Sequence, residues 1–129
     1  MRSDTQNWIA LAEYDLETAQ HMLVTGRYLY VVFLCHLALE KMLKACVTEV
    51  TQGFPARTHD LIYLIKKSGL EIPQEMLEFI GKINTASVPT RYPEDLQHAL
   101  QEYPRSVVDN YLSQAEQVIR WLKEQLSKL

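Results

Sequence analysis

Apolar residues recur along most of this chain at three- and four-residue steps, the pattern of helices that bury one face. Trp8, Leu11, Ala12, Leu16, Ala19 and Leu23 form the first such stripe. They predict a helix capped by Asp4 or Thr5 and running to about Val24, with Glu13, Asp15 and Glu17 on its outer face. Thr25-Gly26-Arg27 is the stop, because glycine readily takes the left-handed conformation that ends helices. So short a loop makes the next helix fold straight back. That second helix, Tyr28 to about Val50, is apolar on nearly every side until Glu40, Lys41 and Lys44 give it a charged edge. A helix apolar all round needs cover on several faces, from its own chain or from a second copy. Val31, Val32, Leu34 and Leu39 exceed what one bundle interior would cover, and on that ground a homodimer is expected.

Gly53 and Pro55 break the second helix. A short third helix, capped near Thr58, carries Leu61, Ile62, Leu64 and Ile65 and ends at Ser68-Gly69. Pro73 opens a fourth at a position proline favours, with Met76, Leu77, Ile80 and Ile83 inward. From Asn84 to Tyr103 the periodicity fades among Pro89 and Pro93, with Pro104 closing the segment. It reads as an irregular stretch of the kind that is usually functional. Ser106 and Asp109 are spaced as a capping box. They precede a last helix with the stripe Val108, Tyr111, Leu112, Ala115, Val118, Ile119, Leu122 and Leu126. The expected fold is all-α: one domain over residues 1–129, an up-and-down bundle of four long helices plus a short fifth helix.

Composition changes this picture little. With 129 residues the chain can close a core without disulfides or metal. A net charge of −3 argues against a surface that grips nucleic acid everywhere, so any anion site must be local. The run Tyr28–Leu39 is too short for a membrane span, and Met1 to Thr18 is too polar for a signal peptide. No membrane partner and a cytoplasmic location are expected. Cys35 and Cys46 lie about 16 Å apart along one helix at ~1.5 Å per residue, too far for a disulfide, and read as buried thiols. Serine–histidine and Walker-type signatures are absent, and four glycines cannot build a phosphate-cradling loop.

Three stretches carry a resemblance: Phe33-Leu-Cys-His-Leu-Ala-Leu-Glu-Lys-Met-Leu-Lys-Ala, then Thr58-His59-Asp60-Leu61, then Arg91-Tyr92-Pro93-Glu94. In this order they resemble the HEPN domain family in its small stand-alone form, from about Trp8 to Leu126. The resemblance implies a helical bundle that pairs with itself. It also implies a minimal nucleotidyltransferase as partner, in a two-protein module of toxin–antitoxin type. Other members of that family are metal-independent ribonucleases that use an Arg and a His a few residues apart, contributed by both subunits to a shared cleft.

Arg91 and His98 fall within that spacing and are the candidate catalytic pair. A neutral imidazole can take the proton of an RNA 2′-hydroxyl, and a guanidinium can hold two phosphate oxygens as charge builds up. Pro93 biases Tyr92 to extended backbone, so Arg91 and His98 cannot share an unbroken helix. The structural alternative has Arg91 anchoring its loop through a carboxylate, with His98 exposed. Arg57, His59, Lys44 and Tyr92 are the candidate nucleotide- or RNA-binding residues. For Arg57 and His59 the chemistry would be an anion site at the exposed amides opening the third helix. The structural alternative is that His59 and Thr58 satisfy that helix end. His36 and Glu40 are four apart, but no further ligand joins them, so a hydrogen-bonded core histidine is expected and a metal is not. Glu40 and Lys44 read as a helix ion pair. Tyr28, Tyr30 and Phe33 read as packing. No cofactor and no DNA partner is expected; the ligand is a nucleotide or RNA phosphate.

Overall fold

The computed structural model describes all 129 residues, and the apolar second helix is its axis. The chain forms six helices and no strand: α1 (Ser3–Val24), α2 (Tyr28–Thr51), α3 (Leu61–Ser68), α4 (Gln74–Arg91), α5 (Leu96–Glu102) and α6 (Arg105–Ser127). Of the 24 residues of α2, 15 are buried, and α2 packs against each of the other five helices. Gly26, at φ +79°, makes the reversal between α1 and α2, as its lack of a side chain allows.

One side of α2 meets α1 and α6 through apolar residues. Ala12 and Ala19 of α1 are fully enclosed, and Trp8, Leu16 and Leu23 pack on the core. All eight residues of the α6 stripe are buried. Cys35 and Cys46 are free and buried, and burial pushes both thiols up to about 12. Two ion pairs brace this side at its rim, Lys41 with Asp15 at 2.6 Å and Lys123 with Glu13 at 2.8 Å.

Several expectations change. Val31, Val32 and Leu39 have no exposed surface within the single chain and Leu34 is half-buried, because five helices pack on α2. They therefore supply no argument for a second copy. The stretch 84–103 is mostly helical: α4 continues to Arg91, and α5 is a sixth helix. The apolar rhythm fades because the buried face of late α4 is Ala86, Ser87 and Thr90. Its hydroxyls bond back to the helix, Ser87 to the Asn84 carbonyl at 3.0 Å and Thr90 to that of Ala86 at 2.7 Å. Pro89 is inside the helix and exposed; it cannot donate to the Thr85 carbonyl, and the helix ends two residues later.

The caps differ as well. Asp60, not Thr58, caps α3, accepting from the amides of Ile62 and Tyr63. Arg2 precedes α1 without a side-chain cap, and Asp4 instead pairs with Arg2 at 2.9 Å. Pro73 holds the capping position of α4 rather than its first turn. Pro104 precedes α6, and the Ser106–Asp109 box does not form. No helix is long and apolar enough to cross a membrane.

Candidate functional site

The side of α2 that faces α3 and α4 is built of different material. Phe33, His36, Glu40 and Lys44 recur at three- and four-residue steps, so they share one stripe. His36 has no exposed surface, and Glu40 and Lys44 retain 4 % and 7 %. Each residue of this stripe is met by a polar group from elsewhere in the chain or from the next turn.

Glu40 is the hub. Lys44 Nζ donates to its Oε2 at 3.1 Å, so the i,i+4 ion pair forms, but in the interior rather than at the surface. Its other oxygen, Oε1, lies 2.7 Å from Nδ1 of His59. The His59 side chain itself is 65 % exposed. Lys44 also stands over the ring of Trp8, 5.5 Å from its centroid.

The start of α3 is closed by its own neighbours. The Leu61 amide donates to Asn84 Oδ1 at 3.0 Å, and Asn84 Nδ2 donates to Asp60 Oδ1 at 3.1 Å. With Asp60 taking the Ile62 and Tyr63 amides, the open amides of the anion-site reading are engaged. An anion near His59 would have to be met by side chains. Thr58 accepts from the Asp60 amide as the structural alternative expected, whereas His59 turns inward to Glu40. Arg57 is exposed.

Arg91, the last residue of α4, lays its guanidinium over Phe33 at 4.7 Å from the ring centroid. Its Nε and Nη2 are enclosed and without a hydrogen-bond partner, and no carboxylate pairs with it, so the loop-anchoring ion pair is not made. Neither ring nitrogen of buried His36 has a partner at hydrogen-bond distance, and Asn84 is the side chain placed to serve as one. Burial lowers its pKa from the ordinary value, Glu40 opposes that shift and Arg91 reinforces it. Asn84 and His59 are its other polar neighbours.

His98 belongs to a different surface. It lies in the first turn of α5, where its amide donates to Asp95 Oδ1 at 3.1 Å. Its Nε2 is 2.8 Å from Glu102 Oε1. With exposed Tyr92, it lines a shallow cavity of about 360 Å³ that includes Val88, Pro93 and Tyr103. The helix is interrupted between Arg91 and Leu96, as Pro93 favours, and no hydrogen bond or ion pair joins Arg91 to His98. Within one chain, Arg91 stands with Phe33 and His36, and His98 with Glu102. No group of three or more His, Cys, Asp or Glu is placed to hold a metal.

Sequence reasoning missed that Glu40 joins two of its candidates and that Asn84 ties α4 to α3. Periodicity carried half of the signal, since Phe33, His36 and Glu40 share a stripe. The partners across it are remote in sequence and leave no local trace.

An all-helical protein whose central, largely apolar helix carries one buried stripe of ionisable groups is the class defined so far. Comparison with known proteins narrows it. The HEPN domain sequence model matches residues 5–125, and the chain belongs to the HEPN domain family. It is 30 % identical over 135 residues to a Methanocaldococcus jannaschii protein named "Putative toxin MJ1304", covering 94 % of this chain and 87 % of that one. It is similar to the crystal structure of ST0689, an archaeal HEPN homologue, with a TM-score of 0.78 and 26 % identity over 97 % of this chain and 99 % of that one. It also shares its fold with TT1696 from Thermus thermophilus, with a TM-score of 0.82 and 24 % identity over 95 % and 98 % of the two chains.

Proposed function

We propose that this chain is the HEPN member of a toxin–antitoxin-type module. In this reading it acts as a homodimer, docks a minimal nucleotidyltransferase, and binds a nucleotide or RNA phosphate at Arg91. The observation that carries the reading is the state of that guanidinium. Set over the Phe33 ring with no carboxylate paired to it, it is a cation free to take an anion at the edge that remains open. The likeness to a protein named as a toxin supports the module. Arg57, Tyr92 and His59 are the exposed groups that would contact the ligand, and buried Lys44 would act by holding Glu40.

A second reading is a metal-independent endoribonuclease in which Arg91 stabilises phosphate charge and His98 acts as base. The separate settings of these residues in one chain favour a version in which two copies complete the site. Light scattering on the purified protein tests the dimer; a monomer at micromolar concentration removes it. Co-expression with a nucleotidyltransferase encoded beside it should give a complex on gel filtration, and separate elution ends that part. Incubation with RNA in EDTA tests the second reading. Cleavage lost in Arg91→Ala and His98→Ala supports it, and wild type without cleavage removes it.

A further inference from the structure

The short helix α5 is held to the bundle by little: of its seven residues only Ala99 is buried. Leu96 and Leu100, one turn apart, share one flank and are 54 % and 39 % exposed. His98 and Glu102, also one turn apart, share the other. The leucines stay in water although the chain closes a full core elsewhere. Exposed apolar side chains gathered in one place mark a surface that a partner covers.

Each flank borders a hollow. On the leucine side, Leu96 and Leu100 face Tyr28, Leu29 and Tyr30 across a groove of about 330 Å³ in which Arg27 is the only charged residue. On the other side lies the cavity of about 360 Å³ with Val88, Pro89 and Pro93 in its wall and three carboxylates, Glu94, Asp95 and Glu102. No lysine or arginine lines it, and its histidine is already set against Glu102. Its walls are in place beforehand: Asp95 accepts from the His98 amide, and the Tyr103 ring rests 6.2 Å from that of Tyr111. Little ordering is left for an occupant to impose. Together the two hollows hold five of the chain's thirteen exposed large apolar side chains, Tyr30, Val88, Tyr92, Leu96 and Leu100.

Apolar on one flank and acidic on the other, α5 complements a helix whose apolar stripe is bordered by lysines or arginines. A second copy has no such helix to offer. The stripe of α6 is buried, and the outer face of α1 carries Glu13 and Glu17. The helix with Lys66 and Lys67, α3, buries Leu61, Leu64 and Ile65. We propose that α5 is the docking surface for a basic amphipathic helix of a partner protein. Its apolar stripe lies on Leu96 and Leu100, and its cationic side chains reach Glu94, Asp95 and Glu102. Arg27 repels those cations at the opposite end, which fixes the side on which they lie. The three carboxylates repel phosphate, so this surface stands apart from the Arg91 reading and does not depend on it.

The test is fluorescence anisotropy at fixed salt with the full chain. The probes are a labelled peptide with Leu and Lys at amphipathic helical spacing, a scrambled peptide of the same composition, and a Leu–Glu counterpart. The first should bind about tenfold more tightly than the other two. Glu94→Lys with Glu102→Lys, both at exposed positions, should weaken it about tenfold or more. Leu96→Ser with Leu100→Ser should do the same. Glu17→Lys with Glu75→Lys makes the same change in net charge away from α5 and should leave binding as in wild type. Circular dichroism on each variant keeps loss of binding apart from loss of fold. Equal binding of the amphipathic and scrambled peptides, equal weakening by the two Glu→Lys pairs, or full displacement by an equal concentration of spermidine would mean that charge alone is read, and overturns the inference. So does a mass by light scattering that halves in Leu96→Ser with Leu100→Ser while wild type binds no peptide, a result that gives the surface to a second copy.

Discussion

The two long sides of α2 are made by one helix and differ in kind. Along one stripe it carries Val32, Cys35, Leu39, Leu43 and Cys46, all without exposed surface. Along another it carries His36, Glu40 and Lys44, with Arg91, His59 and Trp8 of α1 brought to them. The first side gains from every atom removed from water, at about 25 cal/mol per Å² of apolar surface. The second bears desolvation costs and leaves ring and guanidinium nitrogens without partners. A fold selected for stability alone would extend the first side over the second, and the polar side is where the proposed phosphate site lies.

The largest effect should follow from opening the apolar side. Leu39→Ala or Leu43→Ala removes a fully enclosed side chain from a core that cannot collapse around it, and should cost about 2–5 kcal/mol in urea unfolding. On the polar side, Glu40→Ala leaves Lys44 buried without a counter-charge and should cost about 3 kcal/mol or more. The double change Glu40→Leu with Lys44→Leu restores an apolar surface and should return stability to within about 1 kcal/mol of wild type, or above it. A double variant as unstable as Glu40→Ala would mean that the pair holds the fold after all, and the contrast between the sides would fail.

His36 supplies a test in pH. Burial keeps its folded-state pKa below the ordinary 6.5, the unfolded-state value. The unfolded chain therefore takes up a proton first as pH falls. The stability contributed by the neutral ring is complete above about pH 6.5 and is lost as pH drops from there toward the folded-state value. Urea midpoints measured across that window should fall for wild type and fall less for His36→Phe. Identical slopes would show that His36 titrates as if exposed.

Much of the apolar side could be read directly from the chain. The α6 stripe is complete in the sequence because burial on a single face imposes a 3.6-residue period. The central place of α2 was legible for the converse reason, since no face was left polar in its first half. Late α4 was not legible: Ser87 and Thr90 are buried yet polar, Ala86 is small, and Pro89 suggested a break two residues before the helix ends. The candidate site was half legible. Glu40 with Lys44 follows from spacing, but the Glu40–His59 contact joins residues 19 apart. The seating of Arg91 on Phe33 depends on how α4 crosses α2. Neither has a local pattern to announce it.

Arg91→Ala should have the smallest effect on stability, and for that reason it separates the two sides most sharply. The guanidinium contributes a stacking contact with Phe33 of about 0.5–1 kcal/mol, and it incurs the cost of enclosing Nε and Nη2 without acceptors. These oppose one another, so the net change in unfolding free energy should stay within about 1 kcal/mol of zero. Its effect on binding should be out of proportion, with anisotropy of a labelled oligouridylate falling by tenfold or more in affinity at low salt. A core residue behaves the other way, losing stability first and binding only as the fold fails. If Arg91→Ala instead lowered stability by about 2 kcal/mol or more and left binding intact, the guanidinium would be a packing element, and the polar side of α2 would be a second core.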